Sequence, residues 1–328
     1  MQNLLSSLHL FGHDSGAKLV LKPIAEHLGL LINDNLLEKS SYSALLIGTS
    51  TSEEGFTKDK QICLWARKAE IPIIGIEDYA GNASALAEVG LLDYLIVDSP
   101  YSARHHIQKG FLADRIKILP SVRYDHYRKM PVKKLTRHKF LRNILWIGQP
   151  EKDVAMAALG WIAPWCKKKG ITLYFRAHPR DDAYRYGFWT NWFAKRRIRW
   201  VDCTTWKQED LWSNSIGLAV TAFSSMALDA SFHGIPVIHI THLRVVKQLL
   251  RDQKSGIRPS MGAMGAAAET YGPFSTEIMH KYISTGAIRS MDRSFGKFYR
   301  SDGPVIEKLV IILESLIADF DHHRSISN

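Results

Sequence analysis

Apolar runs of six to eight residues recur along the chain, separated by amphipathic stretches of helix length. In the first third these runs are SLHLFG (7–12), SALLIGTS (43–50), IPIIGIED (71–78), LDYLIVDS (92–99) and IKILPS (116–121). The stretches between them predict helices over 17–28, near 57–69 and near 101–109. After a basic interruption the order resumes with NILWIG (143–148), ITLYFRA (171–177), IRWVDC (198–203), IGLAVTAF (216–223) and IPVIHI (235–240). Helices are predicted over 152–168, near 183–196 and near 207–214. Short β-rich runs between helices mark parallel strands covered on both faces. The pattern therefore predicts an α/β protein with two doubly wound, Rossmann-like domains. The expected limits are 1–125 for the first domain, 126–142 for a basic linker, 143–303 for the second domain and 304–328 for a terminal helix and tail. The helical stretch PVIEKLVIILESLIADF (304–320) is apolar on more than one face, which suits a brace against both domains. The Gly- and Ala-rich SGIRPSMGAMGAAAETYGP (255–273) has no clear period and is expected to be a long loop, either functional or a plain surface excursion.

With 328 residues, 46% hydrophobic and 23% charged, the chain can bury two cores. No apolar run approaches the ~18–20 residues of a membrane span. The opening MQNLLSSLHLFGHD lacks the basic n-region of a signal peptide and reads as the first strand. Cys63, Cys166 and Cys203 are widely spaced in apolar contexts, as buried thiols in a reducing cytoplasm would be. Charge is uneven. Residues 1–100 carry 7 Lys/Arg and 13 Asp/Glu, whereas residues 101–328 carry 36 and 19. The stretch 123–142 has eight Lys/Arg against one Asp. Such a field suits nucleotide phosphates, nucleic acid or an anionic membrane leaflet, and equally a solvated linker.

Candidate chemistry gathers at strand ends, where open α/β sheets bind ligands. YFRAHPRDD (174–182) delivers Arg176, His178 and Arg180 to one turn, and the proline after His178 holds that residue extended. In VTAFSSMALDASFHGIPVI (220–238), Thr221 closes a strand while Ser224 and Ser225 stand at a helix start, where hydroxyls and backbone amides suit a phosphate. Ordinary capping explains one serine without any ligand. Gly148 and Gln149 end the first strand of the second domain, where a glycine permits close backbone approach.

GQP after that strand, AHPR at a later strand end and SS opening a helix resemble the GT-B transferases with His-Pro and serine motifs. These include bacterial sialyltransferases, polysialyltransferases, capsule Kdo transferases and CDP-glycerol transferases. FGHDSGAK (11–18), GTSTSEEG (48–55), EIPIIGIEDYAGN (70–82) and LPSVRYD (119–125) resemble first domains of the UDP-N-acetylglucosamine 2-epimerase and glycosyltransferase superfamily. The Gly-Gly-rich loop of the hydrolysing epimerases has no counterpart, and serines occupy its place. The resemblance implies a GT-B fold whose two sheets face a central cleft, with the nucleotide on the second domain. It places His178, Ser224 and Ser225 on the donor phosphate and Gly148 and Gln149 along the nucleotide. A CMP- or CDP-type donor is favoured over UDP, with a surface polysaccharide or lipid-linked glycan as acceptor.

Transfer to an acceptor hydroxyl needs a base. Asp14 is the first candidate, followed by His13 and Asp78; Asp14 equally suits the N-cap of a helix beginning near Ser15. No metal site and no resident cofactor are expected, since RDD (180–182) suits a helix cap, and RHH (104–106) and DHHR (321–324) fit solvated helix faces or termini. WTNWFAKRRIRW (189–200) interleaves aromatics with cations as single-strand nucleic-acid binders do, although core packing explains the same aromatics. The alternatives to a transferase are a nucleotide-sugar epimerase or hydrolase, and a non-enzymatic anion-binding module. The expected location is the cytoplasm, with peripheral attachment at the inner membrane as an option.

Overall fold

The computed structural model describes residues 4–34, 42–50, 52–136, 141–213, 216–252, 258–300 and 303–327. Thr51 of GTSTSEEG, residues 137–140 of the basic stretch and residues 255–257 of the Gly/Ala-rich stretch lie outside them. Twelve strands among the described residues form two parallel sheets. The first contains β1 (Leu8–Phe11), β2 (Ile32–Asn33), β3 (Ala44–Gly48), β4 (Ile73–Ile76), β5 (Tyr94–Val97) and β6 (Ile116–Ile118), in the order β2-β1-β3-β4-β5-β6. The second contains β7 (Asn143–Ile147), β8 (Thr172–Arg176), β9 (Trp200–Asp202), β10 (Leu218–Thr221), β11 (Val237–His239) and β12 (Ala268–Glu269), in the order β12-β11-β10-β7-β8-β9. Both are doubly wound α/β sheets, with strand order reversing beside the first strand of each.

Contacts divide the chain into two units. One comprises Met1–Met130, Leu250–Ser260 and Phe298–Asn328; the other comprises Pro131–Leu249 and Met261–Lys297. In the first, helix Ser15–Leu28 buries Ala17, Val20, Leu21, Ile24 and Ala25, one stripe at helical spacing. The last helix, Val305–Ser327, is an integral part of this unit's core: Val305, Leu309, Leu313 and Leu316 are buried with Leu5, Leu10, Ile24 and Ile74. Asp125 fixes its start, accepting from Val305 N–H at 3.1 Å and Ile306 N–H at 2.8 Å. No helix of the described residues is long and apolar enough to cross a membrane.

In the second unit, helix Lys152–Lys169 packs Ala155, Leu159 and Ile162 against Trp146 and Phe175. The single helix predicted over 183–196 is two, Asp182–Arg185 and Phe188–Arg196, because Gly187 adopts φ 70° between them. Trp189, Trp192 and Phe193 are buried, and Phe193 stacks on Trp200 with ring centroids 4.5 Å apart. The aromatics of WTNWFAKRRIRW thus form core rather than a stacking platform for bases. The expected loop 255–273 contains a helical turn, Ser260–Ala263, and the edge strand β12, which pairs Ala268 with Ile238 and Glu269 with His239. Among its described residues only Ala268 and Glu269 pair, too few to show a strand period. All three cysteines are free and buried.

Candidate functional site

The second sheet brings three of the candidate turns together. Ile147 pairs with Thr221 on one side and with Arg176 on the other, so β10, β7 and β8 end level. Neighbouring strands lie ~4.8 Å apart, which places the turns after them side by side. Gly148 donates its N–H to Arg176 O at 2.8 Å, and a Cβ there would stand 2.7 Å from that oxygen and 3.0 Å from His178 N. The glycine is required because the two turns touch backbone to backbone. Gln149 is buried and donates from Nε2 to Thr221 Oγ1 at 3.1 Å. Thr221 in turn donates to Ile147 O at 2.9 Å and accepts from Ser224 N–H at 3.2 Å. Gln149 and Thr221 therefore brace the turns.

His178 is held in one tautomer. Its Nδ1 accepts the Arg180 N–H at 3.1 Å, which leaves Nε2 to carry the proton of the neutral ring. Burial lowers its pKa, and the Arg180 charge lowers it further, so at neutral pH it is a donor without charge. Of the three cations that the sequence offered, two are permanent. Arg176 donates from Nη1 to Trp206 O at 3.0 Å, and Arg180 is exposed. Ser225 occupies the N-cap position of helix Met226–Phe232 with helical φ, ψ and without a side-chain cap bond. Ser224 makes the local bond instead, its Oγ accepting from Met226 N–H at 3.3 Å, which leaves its hydroxyl proton to donate. RDD does cap a helix: Asp181 accepts from Tyr184 N–H at 3.1 Å and also from Trp189 Nε1 at 2.8 Å.

Sequence reasoning missed Glu151. It precedes the 18-residue helix Lys152–Lys169 at the end of the GQPE turn, its Oε2 is buried without a hydrogen-bond partner, and burial raises its pKa against the opposing pull of Arg180. The signal was an acidic residue two positions past Gln149, read only as part of the turn.

The first unit has its own polar edge. Asp14 is the N-cap residue of helix Ser15–Leu28 but makes no side-chain bond to it. Its carboxylate accepts from Ser52 Oγ at 2.9 Å and Ser52 N–H at 3.2 Å, while Ser52 Oγ accepts from Gly55 N–H at 3.0 Å. His13 lies beside it, with Nδ1 3.4 Å from Lys58 Nζ and Nε2 3.6 Å from Glu54 Oε1. Asp78 belongs to a different cluster. It sits 3.5 Å from Arg123 Nη1, a Cβ on Gly16 would collide with its carboxylate, and burial raises its pKa against the Arg123 charge. Neighbouring Glu77 is fully buried, accepting from His106 Nε2 at 2.7 Å, Gly81 N–H at 2.9 Å and Ser102 Oγ. His106, expected on a solvated helix face, is therefore a buried partner of Glu77, because its side of helix Pro100–Gln108 faces the sheet.

Two such units, each a parallel sheet flanked by helices, make up the two-domain α/β fold of GT-B proteins. The chain is similar to the UDP-N-acetylglucosamine 2-epimerase of Rickettsia bellii, with 12% identity over 96% of this chain and 97% of that one, and a TM-score of 0.60. It is similar to MurG of Acinetobacter baumannii, with 11% identity, 94% and 99% coverage and a TM-score of 0.54. It is also similar to the wall teichoic acid polymerase TagF in a structure soaked with CDPG, with 12% identity, 96% and 89% coverage and a TM-score of 0.50. At these identities the likeness is one of fold. No family profile and no curated protein matches the sequence.

Proposed function

We propose that the protein is a glycosyltransferase that moves a sugar or polyol phosphate from a nucleotide-activated donor to a glycan acceptor. The observation that carries this reading is the level edge of β10, β7 and β8, where His178 Nε2–H and the Ser224 hydroxyl are both left able to donate to a phosphate. Neutral donors fixed by local bonds suit a departing nucleotide phosphate, because they need little reorganisation as its charge grows. As the bond from the transferred group to the phosphate oxygen breaks, the electron pair goes to that oxygen, and Arg176 and Arg180 add positive field. Within the first unit Asp14 is the proposed base that takes the acceptor proton, its carboxylate oriented by Ser52. His13 and Asp78 follow it, Asp78 handicapped by its Arg123 partner. The reading needs no resident cofactor or metal.

The nucleotide is the finer part of the proposal. The sequence motifs favour CMP or CDP, whereas one similar structure is a UDP-sugar epimerase and another was soaked with CDPG. Calorimetric titration with CMP, CDP, UDP and GDP, on wild type and His178→Ala, tests both parts. One nucleotide should bind selectively and weaken roughly ten- to a hundredfold in the variant, the worth of one hydrogen bond to a charged group. Equal binding of all four, abolished by salt, would remove the transferase reading. The likeness to the epimerase supports a second reading, epimerisation or hydrolysis; product formed from nucleotide sugar without acceptor would establish it.

A further inference from the structure

The second unit carries a charged face at the amino ends of β7, β8 and β9, the edge of the sheet opposite the candidate turns. Five-residue strands β7 and β8 separate it from those turns by ~15 Å. Residues 154–180 and 183–201 contain no Asp or Glu. Helix Lys152–Lys169 ends in Lys167, Lys168 and Lys169. Helix Phe188–Arg196 ends in Lys195 and Arg196, with Arg197 and Arg199 just beyond it. All seven side chains are exposed, as is Arg142 before β7. Among the described residues none of these eight makes an ion pair. Backbone and side-chain bonds fix where they stand. Lys167 Nζ donates to Arg196 O at 2.9 Å, tying the two helix ends together. Thr172 N–H donates to Arg142 O at 2.9 Å and Leu173 N–H to Arg199 O at 3.0 Å, so Arg142 and Arg199 flank the start of β8. Adjacent strands lie ~4.8 Å apart, so the three strand starts span ~10 Å, about one Debye length. The cations therefore act on one surface together.

We propose that this face of the second unit docks on an anionic lipid bilayer, its lysines and arginines meeting lipid phosphates. Cations in the last turn of a helix complement the helix dipole, which accounts for those on the two helices. It does not account for Arg142 and Arg199, which lie outside helices, nor for the crowding of like charges without a carboxylate. Arg197 sharpens the point: it holds φ 53° at the helix end, where glycine would be less strained, and adds a charge there. A single-stranded nucleic acid would need exposed rings to stack on. Here Trp192 and Phe193 are buried, and the Arg196 guanidinium lies 4.1 Å from the Trp192 ring centre. A discrete phosphate ligand would need backbone amides, whereas both helices turn their carbonyl ends to this face. A plane of headgroups needs only long cationic side chains that reach past those carbonyls. This docking is independent of the donor-binding reading.

Sedimentation of the full-length chain with vesicles of phosphatidylcholine, alone or mixed with phosphatidylglycerol, tests the proposal. Wild type should bind only the mixed vesicles, and less well as salt rises. Replacing four cations of the face (K168Q, K169Q, K195Q, R199Q) should lower the partition coefficient about fivefold per charge, to a total of several hundredfold. Replacing four exposed lysines of the first unit (K22Q, K60Q, K68Q, K109Q) removes the same total charge and should leave the coefficient within about twofold. Thermal melting should stay near that of wild type in both variants, because Lys167 and Arg196, which tie the helix ends, are untouched. Failure of wild type to bind the mixed vesicles at low salt overturns the proposal. Equal losses in the two variants also overturn it, since net charge alone would then be at work. So does displacement of the vesicles by a single-stranded oligonucleotide at matched phosphate concentration, which would make the face a general polyanion contact.

Discussion

Replacing Asp59 with asparagine should stabilise the protein at neutral pH and leave its stability unchanged in acid. Asp59 is fully buried on helix Glu53–Lys68, with Oδ2 accepting the Ser50 N–H at 2.7 Å and Oδ1 accepting from Ser50 Oγ at 3.2 Å. Burial raises its pKa from 3.8 to about 7; the Ser50 bonds oppose the rise and the nearby Asp14 charge adds to it. Well below pH 3.8 the carboxyl is protonated both folded and unfolded. Between 3.8 and 7 the unfolded chain releases the proton while the native state keeps it, so stability falls by ~1.4 kcal/mol per pH unit, up to ~4 kcal/mol in all. Above 7 the loss is constant. Asparagine does not titrate, and its Oδ1 can accept the Ser50 N–H while its Nδ2 donates to Ser50 Oγ. Urea unfolding of both proteins should give equal midpoints at about pH 3, and the Asp59→Asn protein should be more stable by up to ~4 kcal/mol at about pH 7.5. A difference that is the same at both pH values, or a more stable wild type at the higher one, would show that Asp59 is ionised in the fold and that the reasoning is wrong.

Two further outcomes follow from close contacts. Gly148→Ala sets a Cβ 2.7 Å from Arg176 O, which should cost ~1–3 kcal/mol and weaken nucleotide binding by shifting the His178 turn; melting and calorimetric titration read the two effects. Asp125→Ala removes the acceptors of Val305 and Ile306 N–H and the partner of Arg128, and should cost about 3 kcal/mol or more, with hydrogen exchange over 305–317 accelerating first.

The apolar runs named ten of the twelve strands because each strand buried on both faces must read as continuously hydrophobic. Strands β2 and β12 were not legible; two residues at a sheet edge leave no period. The turns bearing Gly148, His178 and Ser224 were legible as strand ends, and their adjacency followed only once β7 was seen between β10 and β8. What the side chains do at those turns was hidden. Asp14 reads locally as a cap, yet its partner Ser52 is 38 positions away, and nothing in RHH announces that His106 faces Glu77. Such pairings are set by packing, which sequence spacing does not encode beyond a helical turn or two. Glu151 was hidden for the opposite reason: its environment is local, but its burial depends on the turn beside it.

The last helix bears on the order in which the protein is built. Strands β1, β3, β4 and β5 leave the ribosome early, but the apolar face formed by Leu10, Leu46, Ile74 and Ile96 is closed by Leu309, Leu313 and Leu316. Val20, Leu21 and Ile24 of helix Ser15–Leu28 cover part of that face early, but its closure waits for residues 305–317, whereas every residue of the second unit has been made once Lys297 is added. The unit that begins first is the one that finishes last: a chain truncated after residue 297 would carry every residue of the second unit, while the first sheet would still lack Leu309, Leu313 and Leu316.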